Sequence, residues 1–160
     1  GDHRDLHLSI RRQRQMCIRD STWPWQFALV AGEGRARLGD TIADAMALHG
    51  DPAEKVAKAR TKYLRTPAVL IVGSAAGDSD TRTAENRDAV AAGVQNILLG
   101  AAAHGLAGYW GSCPKGANDA VARLCRFEEG TFVAAIIYLG WATDTVVAPE
   151  RPRVLLHLLD

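Results

Sequence analysis

The pattern of this chain predicts a mixed β-sheet of about four strands flanked by helices, in place of a full doubly wound sheet. Three features point there. Pro67-Ala68-Val69-Leu70-Ile71-Val72 and the stretch from Thr131 to Trp141 (TFVAAIIYLGW) are unbroken apolar runs of β-branched character, the mark of buried strands. Thr83 to His104 is one long alanine-rich helix that stops on Gly105 and feeds a short strand from Ala107 to Gly111. Strands and helices alternate irregularly, whereas a doubly wound sheet requires regular alternation.

Taken in order, Gly1 to Asp20 is basic and polar, centred on RRQRQ, and reads as an irregular tail with no apolar period. From Ser21 the pattern becomes orderly. Gln26 to Val30 reads as a strand closed by Gly32. A helix follows from about Glu33 to His49, with Leu38, Ile42, Ala45 and Met46 on one face and Gly50 ending it. A second helix, from about Pro52 to Leu64, carries so many Lys and Arg residues that it should be mostly solvated. After the strand at 67–72, Gly77 to Arg82 reads as a polar loop. In the long helix Thr83 is the expected N-cap and Glu85 the first-turn acid, with His104 in the last turn and Gly105 as left-handed C-cap. Val90, Val94, Ile97, Leu98 and Ala101 form a bulky stripe on it. Ala89, Ala92, Gly93, Asn96, Gly100 and Ala103 form a second face with almost no side-chain bulk, which lets another backbone lie close. A short helix from about Asn118 to Arg126 should turn Val121, Leu124 and Cys125 inward. From Thr143 to Asp160 prolines and basic residues leave no clear period.

At 160 residues the chain is long enough for one domain with a real core. Nineteen basic against eighteen acidic residues give no reason to expect nucleic acid or an anionic membrane as partner. No apolar run approaches the roughly 20 residues a bilayer span needs, and no secretory leader is read at its start. Cys17, Cys113 and Cys125 are odd in number and lack CxxC spacing, so a reduced, cytoplasmic protein is expected. Cys113 has only Lys115 as a basic neighbour and reads as a bystander. The five histidines are scattered, so no metal site is expected. GxGxxG, GxxxxGK[ST] and GxSxG are all absent, and no acid/base dyad or activated nucleophile stands out. That leaves room for a cofactor held by dispersed contacts.

Four segments together resemble the nitroreductase family of flavoproteins. They are Thr22-Trp23-Pro24-Trp25-Gln26-Phe27, Arg65-Thr66-Pro67-Ala68-Val69-Leu70-Ile71-Val72, the block from Glu85 to Pro114, and Ile136-Ile137-Tyr138-Leu139-Gly140-Trp141. They stand in the family's order, and the nearest likeness is to its branch of small single-domain NAD(P)H nitroreductases. The resemblance implies an α+β nitroreductase-like fold, with a mixed, mostly antiparallel sheet flanked by helices, and a homodimer with FMN at the subunit interface. It implies that NAD(P)H delivers hydride to FMN, and that the reduced flavin passes it to a nitroaromatic, quinone or similar small-molecule acceptor. No catalytic side chain is then required, because the flavin carries the chemistry.

Carried over by position, Trp110, Gly111 and Ser112 match the strand-end segment that lines FMN. Gly111 would allow close backbone approach, and Ser112 would offer a hydroxyl. Gly100, Ala101, Ala102, Ala103, His104 and Gly105 match the stretch on the nicotinamide-nucleotide side. Arg151 and Arg153, in Pro149-Glu150-Arg151-Pro152-Arg153, resemble a basic pair aimed at the FMN phosphate. Pro24 and Trp25 match a segment beyond the flavin-contacting loop, with Trp25 as a structural anchor. Each has a plainer reading too: Trp110 as a core aromatic, the small residues as helix packing, the arginines as a solvated tail.

The likeness departs at the front. The family opens with an Arg-Arg-Ser type grip on the FMN phosphate, followed by a helix and a loop. Here Ser9-Ile10-Arg11-Arg12 stands too close to Pro24 for those elements, and Arg19 with Asp20 occupies the place of a loop histidine. RRQRQMCIRDS also resembles translated non-coding sequence. The expectation is therefore a non-native or irregular tail at 1–21 and an N-terminally truncated nitroreductase-like domain at 22–160. The alternatives are a flavin-free, catalytically impaired dimerisation domain, or an unrelated α/β binding protein.

Overall fold

The two continuous apolar runs become the two central strands of a four-stranded sheet in the computed structural model, which describes residues 23–144 and 150–159. The expected tail at 1–21, with Arg11 and Arg12, lies outside the described residues. β1 spans Trp25–Ala31, β2 Ala68–Ser74, β3 Ala107–Gly111 and β4 Phe132–Gly140. Their order is β1-β2-β4-β3, and all three ladders are antiparallel. β2 and β4 read as unbroken apolar sequence because both of their faces are covered.

The helices are α1 (Gly34–Leu48), α2 (Ala53–Lys62), α3 (Asp80–Ala103) and α4 (Asn118–Leu124), with a 3₁₀ turn at Tyr63–Arg65. The architecture is α+β, as the resemblance implies. One face of the sheet carries α1, α2 and α4 over Leu38, Ile42, Tyr63, Val69, Ile71, Val121, Val133 and Ile136. The other carries α3 over Val72, Val90, Val94, Ala135 and Ile137. α1 and α2 cross with backbones in contact, because a Cβ on Gly39 would overlap the carbonyl oxygen of Arg60. Asn118 of α4 grips the start of β4: its Nδ2 donates to Thr131 O at 3.0 Å and its Oδ1 accepts from Val133 N–H at 2.8 Å.

Two sequence expectations are corrected. α3 begins a turn before Thr83, with Ser79 as N-cap: its Oγ accepts from the Arg82 N–H at 3.2 Å, and Asp80 is the first-turn acid. Thr83 Oγ1 instead accepts from the Gly77 N–H at 2.9 Å, tying the loop to the helix. The second helix gives way at Tyr63, whose side chain is fully buried, with Ala59 a turn earlier, in a stretch that is otherwise mostly exposed. The other end of α3 is as read, with Gly105 at φ +73° and Leu106 N–H donating to Ala101 O at 2.9 Å.

On α3, Val90 and Val94 are buried and Ile97 and Leu98 partly so. Ala92, Asn96, Gly100 and Ala103 are exposed, and a Cβ on Gly93 or Gly100 would meet nothing within 4 Å. The described residues therefore leave the bulk-poor face uncovered. Among the described residues no helix is long and apolar enough to cross a membrane.

Candidate functional site

The site is built on an irregularity in β4. Its register with β2 passes from Val72 opposite Ala135 to Gly73 opposite Val133, which leaves Ala134 as an extra residue. The Ala134 carbonyl accepts a hydrogen bond from Trp110 Nε1–H at 3.3 Å. Trp110 lies opposite Ile137 in the ladder and so shares the α3 face of the sheet. The indole is thus held at its N–H edge while the side chain stays 39% exposed. The bulge anchors a tryptophan and leaves part of its surface open.

Trp110's neighbours are placed by two glycines. A Cβ on Gly108 would come 2.7 Å from Leu98, so its absence lets the end of α3 sit on β3. A Cβ on Gly111 would come 3.1 Å from the Tyr138 ring. The room expected for a ligand at Gly111 is, on that face, filled by the protein's own tyrosine. Tyr138 stacks on Tyr63 with centroids 5.7 Å apart and planes within 4°, and Tyr109 tilts against it at 5.8 Å. Burial raises the Tyr63 and Tyr138 hydroxyl pKa values. Ser112, next along, is exposed. Burial pushes the Cys113 thiol up to about 12 despite the nearby Lys62 ammonium, so it stays protonated at neutral pH. Burial in turn lowers the Lys62 pKa.

Beyond the bulge, Trp25, Ser74 and Phe132 lie in register across β1, β2 and β4, on the α3 side. The guanidinium of Arg87, on α3, lies 4.2 Å above the Phe132 ring. Asn86 Nδ2 donates to Ala75 O at 3.1 Å, while Asn86 Oδ1 and the neighbouring Ser74 Oγ are buried without a hydrogen-bond partner. Such orphaned polar atoms are uncommon in a folded interior. Pro24 is buried with its carbonyl accepting from Ala75 N–H at 2.7 Å, and Trp25 packs against the α3 cluster, consistent with an anchoring role. A groove of about 290 Å³ runs between β1 and α3, lined by Trp25, Phe27, Val72, Ala89, Gly93 and Asn96 among others.

Of the residues expected from sequence, Trp110, Gly111 and Ser112 come together at the C-terminal end of β3. Gly100 to Gly105 form the end of α3 at the opposite end of that strand, about 15 Å away at roughly 3.3 Å per residue. One chain does not bring the two groups together. Arg151 and Arg153 are exposed in an irregular stretch. Arg87, Phe132, Asn86 and Ser74 were not expected; they meet only once α3 is laid across the sheet, and no local pattern announces that. A flat heteroaromatic ring with a polar rim suits this set, with the indole to stack on, the Ser112 hydroxyl at the strand end and unsatisfied polar atoms close by. Among the described residues no three His, Cys, Asp or Glu side chains converge as metal ligands.

The sequence model of the Nitroreductase family matches residues 21–141. YdjA of Escherichia coli strain K12, provisionally named an NAD(P)H nitroreductase, is 24% identical over 121 residues, which are 75% of this chain and 66% of YdjA. The chain thus spans just under two thirds of that relative's length. Among solved structures, a nitroreductase-like family protein from Bacillus cereus superposes with a TM-score of 0.68 at 25% identity, over 82% of this chain and 70% of the other. The FMN-dependent nitroreductase NfnB from Mycobacterium smegmatis, solved with NADPH, superposes with a TM-score of 0.61 at 20% identity, covering 82% and 76%. That last likeness speaks for the fold alone.

Proposed function

The chain belongs to the nitroreductase family, and on that premise we propose that it is a flavin-dependent oxidoreductase which passes hydride from NAD(P)H through FMN to a nitroaromatic, quinone or similar acceptor. The observation that carries this reading is Trp110, fixed by the Ala134 bulge with part of its indole open. Bound there, FMN supplies the two-electron chemistry. The chain's own part is to position it: Trp110 offers a stacking surface, Ser112 a hydroxyl to the polar rim, and Arg151 with Arg153 charge for the phosphate.

The same reading takes the protein as a homodimer. In a two-fold pair each chain contributes both halves of a site that a single chain keeps about 15 Å apart (from roughly 3.3 Å per strand residue), with Gly100 to Gly105 of one protomer serving the nucleotide side. The open Gly93 and Gly100 positions supply an α3 surface onto which a second backbone fits. Phe27 and Leu29, exposed on the α3 side of β1, add apolar area for the same contact. The free thiols of Cys113 and Cys125 suit a cytoplasmic, reducing setting.

The test is a titration of FMN into the purified chain, followed by quenching of flavin fluorescence and by bleaching of the bound flavin on addition of NADH or NADPH. Saturable uptake of one FMN per chain with bleaching is expected. Folded protein that takes up no flavin would overturn the reading and favour a flavin-free dimerisation domain.

A further inference from the structure

We propose that Arg87 is an oxyanion-binding residue beside the Trp110 platform, selecting a planar ligand that carries a carboxylate or phosphate. The inference rests on the flavin reading for its catalytic consequence, but the binding step stands on local geometry. The guanidinium carbon lies over the Phe132 ring, 4.2 Å from its centroid, which restrains a long, otherwise mobile side chain in advance. A stacked guanidinium keeps its N–H edge free for a bidentate acceptor such as carboxylate or phosphate. Among the described residues no carboxylate pairs with it, although Asp40, Asp44, Asp51, Asp78 and Glu54 all pair with other bases.

The position is specific. Phe132 precedes Ala134 by two residues on β4, about 7 Å at roughly 3.4 Å per residue. The Ala134 carbonyl in turn holds the Trp110 indole, on the same face of the sheet. Phe132, under the guanidinium, and Ala134, which holds the indole, thus put Arg87 and Trp110 over the same end of β4. The chain's net charge of +1 supplies no general field for anions. The anion could belong to an acidic aromatic acceptor or to the phosphate of the nicotinamide nucleotide.

The experiment uses FMN-loaded wild type, Arg87→Gln and Arg87→Lys, after confirming equal melting temperatures. If Arg87→Gln melts early, Arg87→Lys, which keeps the charge and loses the fork, carries the test. KM and kcat are compared for 4-nitrobenzoate against neutral 4-nitrobenzamide, and for NADPH against NADH. In parallel, quenching of tryptophan fluorescence by the same two nitroaromatics is titrated on flavin-free protein. Arg87→Gln should weaken 4-nitrobenzoate about tenfold in KM and in the quenching Kd, leave the amide unchanged, and be partly rescued by Lys. A loss confined to NADPH would assign the anion to the nucleotide and also uphold the subsite. Equal change for charged and neutral partners, or none, overturns it. Failure of the flavin reading looks different: wild type takes up no FMN, while the quenching series still reports on Arg87.

Discussion

Gly93 separates an open helix face from an interface. In one chain a Cβ there meets nothing within 4 Å, so Gly93→Ala introduces no clash. It removes the backbone freedom of a glycine in mid-helix, worth about 0.5–1 kcal/mol. For a folded part of this size that is a rise of about 2–5 °C in Tm. Gly93→Leu starts from the same open Cβ position and can extend into the groove between β1 and α3, so the isolated chain is expected to keep its fold. Against a two-fold partner, however, it drives an isobutyl group into a close contact twice, at about 1–3 kcal/mol each by the measure of overpacked cores. The dimer Kd should then rise by roughly 30-fold or more while the fold survives. Sedimentation equilibrium across a dilution series measures the Kd, and thermal melting at the lowest concentration measures the chain itself. A Leu variant that dimerises as tightly as wild type would show that this face is not the contact. An Ala variant that melts earlier would show that the face is not open as described.

Other substitutions test the frame and the site. Gly39→Ala should cost about 1–3 kcal/mol in urea unfolding, because its methyl would overlap the Arg60 carbonyl where α1 and α2 cross. Asn118→Ala leaves Thr131 O and Val133 N–H without their partner and should destabilise by about 2–3 kcal/mol, read by the same assay. Trp110→Ala should weaken FMN about tenfold, as loss of one stacking partner would, while Tm falls by only a few degrees. The buried thiols give a pH dependence: with Cys113 raised to about 12 and Cys125 to about 11, the folded state holds protons that the unfolded chain loses from about pH 9 upward. Their contribution is complete below pH 9 and fades between about pH 9 and 12. Lys62, lowered by burial, acts in the opposite sense and offsets part of it. Melting temperatures recorded up to pH 11 check the sign.

What the sequence disclosed follows from which residues see water. β2 and β4 are legible because burial on both faces forces continuous apolar sequence. The end of α3 is legible because a helix turning into a strand within three residues needs the positive φ that Gly105 adopts. Its start is not, because the turn Asp80-Thr81-Arg82 carries no apolar residue, and Ser79 and Thr83 are both competent caps. Tyr63 is hidden by the charged stretch that precedes it, since the inward residues one and two turns earlier, Ala59 and Val56, are small and stand among lysines and arginines. The bulge at Ala134 is invisible for a related reason. In FVAAIIYLG every residue is apolar, so a slip of register leaves no trace in the pattern, yet that slip frees the carbonyl that anchors Trp110.

The asymmetry of the sheet explains why the candidate site lies where it does. Three helices and the Tyr63–Arg65 turn cover one face, and its central side chains interlock there without exposure. Among the described residues the other face has α3 alone, and one helix cannot roof four strands about 4.8 Å apart. Two flanks are left over. On the β1 side lie Phe27, Leu29 and the bulk-poor face of α3; on the β3 side lie Trp110 and Phe132 with Arg87 above. The first flank is apolar with small residues, which suits a second backbone; the second is aromatic with a fixed cation and orphaned polar atoms, which suits a flat, polar-rimmed ligand. Covering the first without the second would yield a dimer that binds nothing. On the proposed reading, a ligand on the second without the first would lack Gly100 to Gly105 from a partner. The two tests therefore inform each other: if Gly93→Leu abolishes dimerisation, it should weaken FMN uptake as well, although Gly93 lies on the flank away from Trp110.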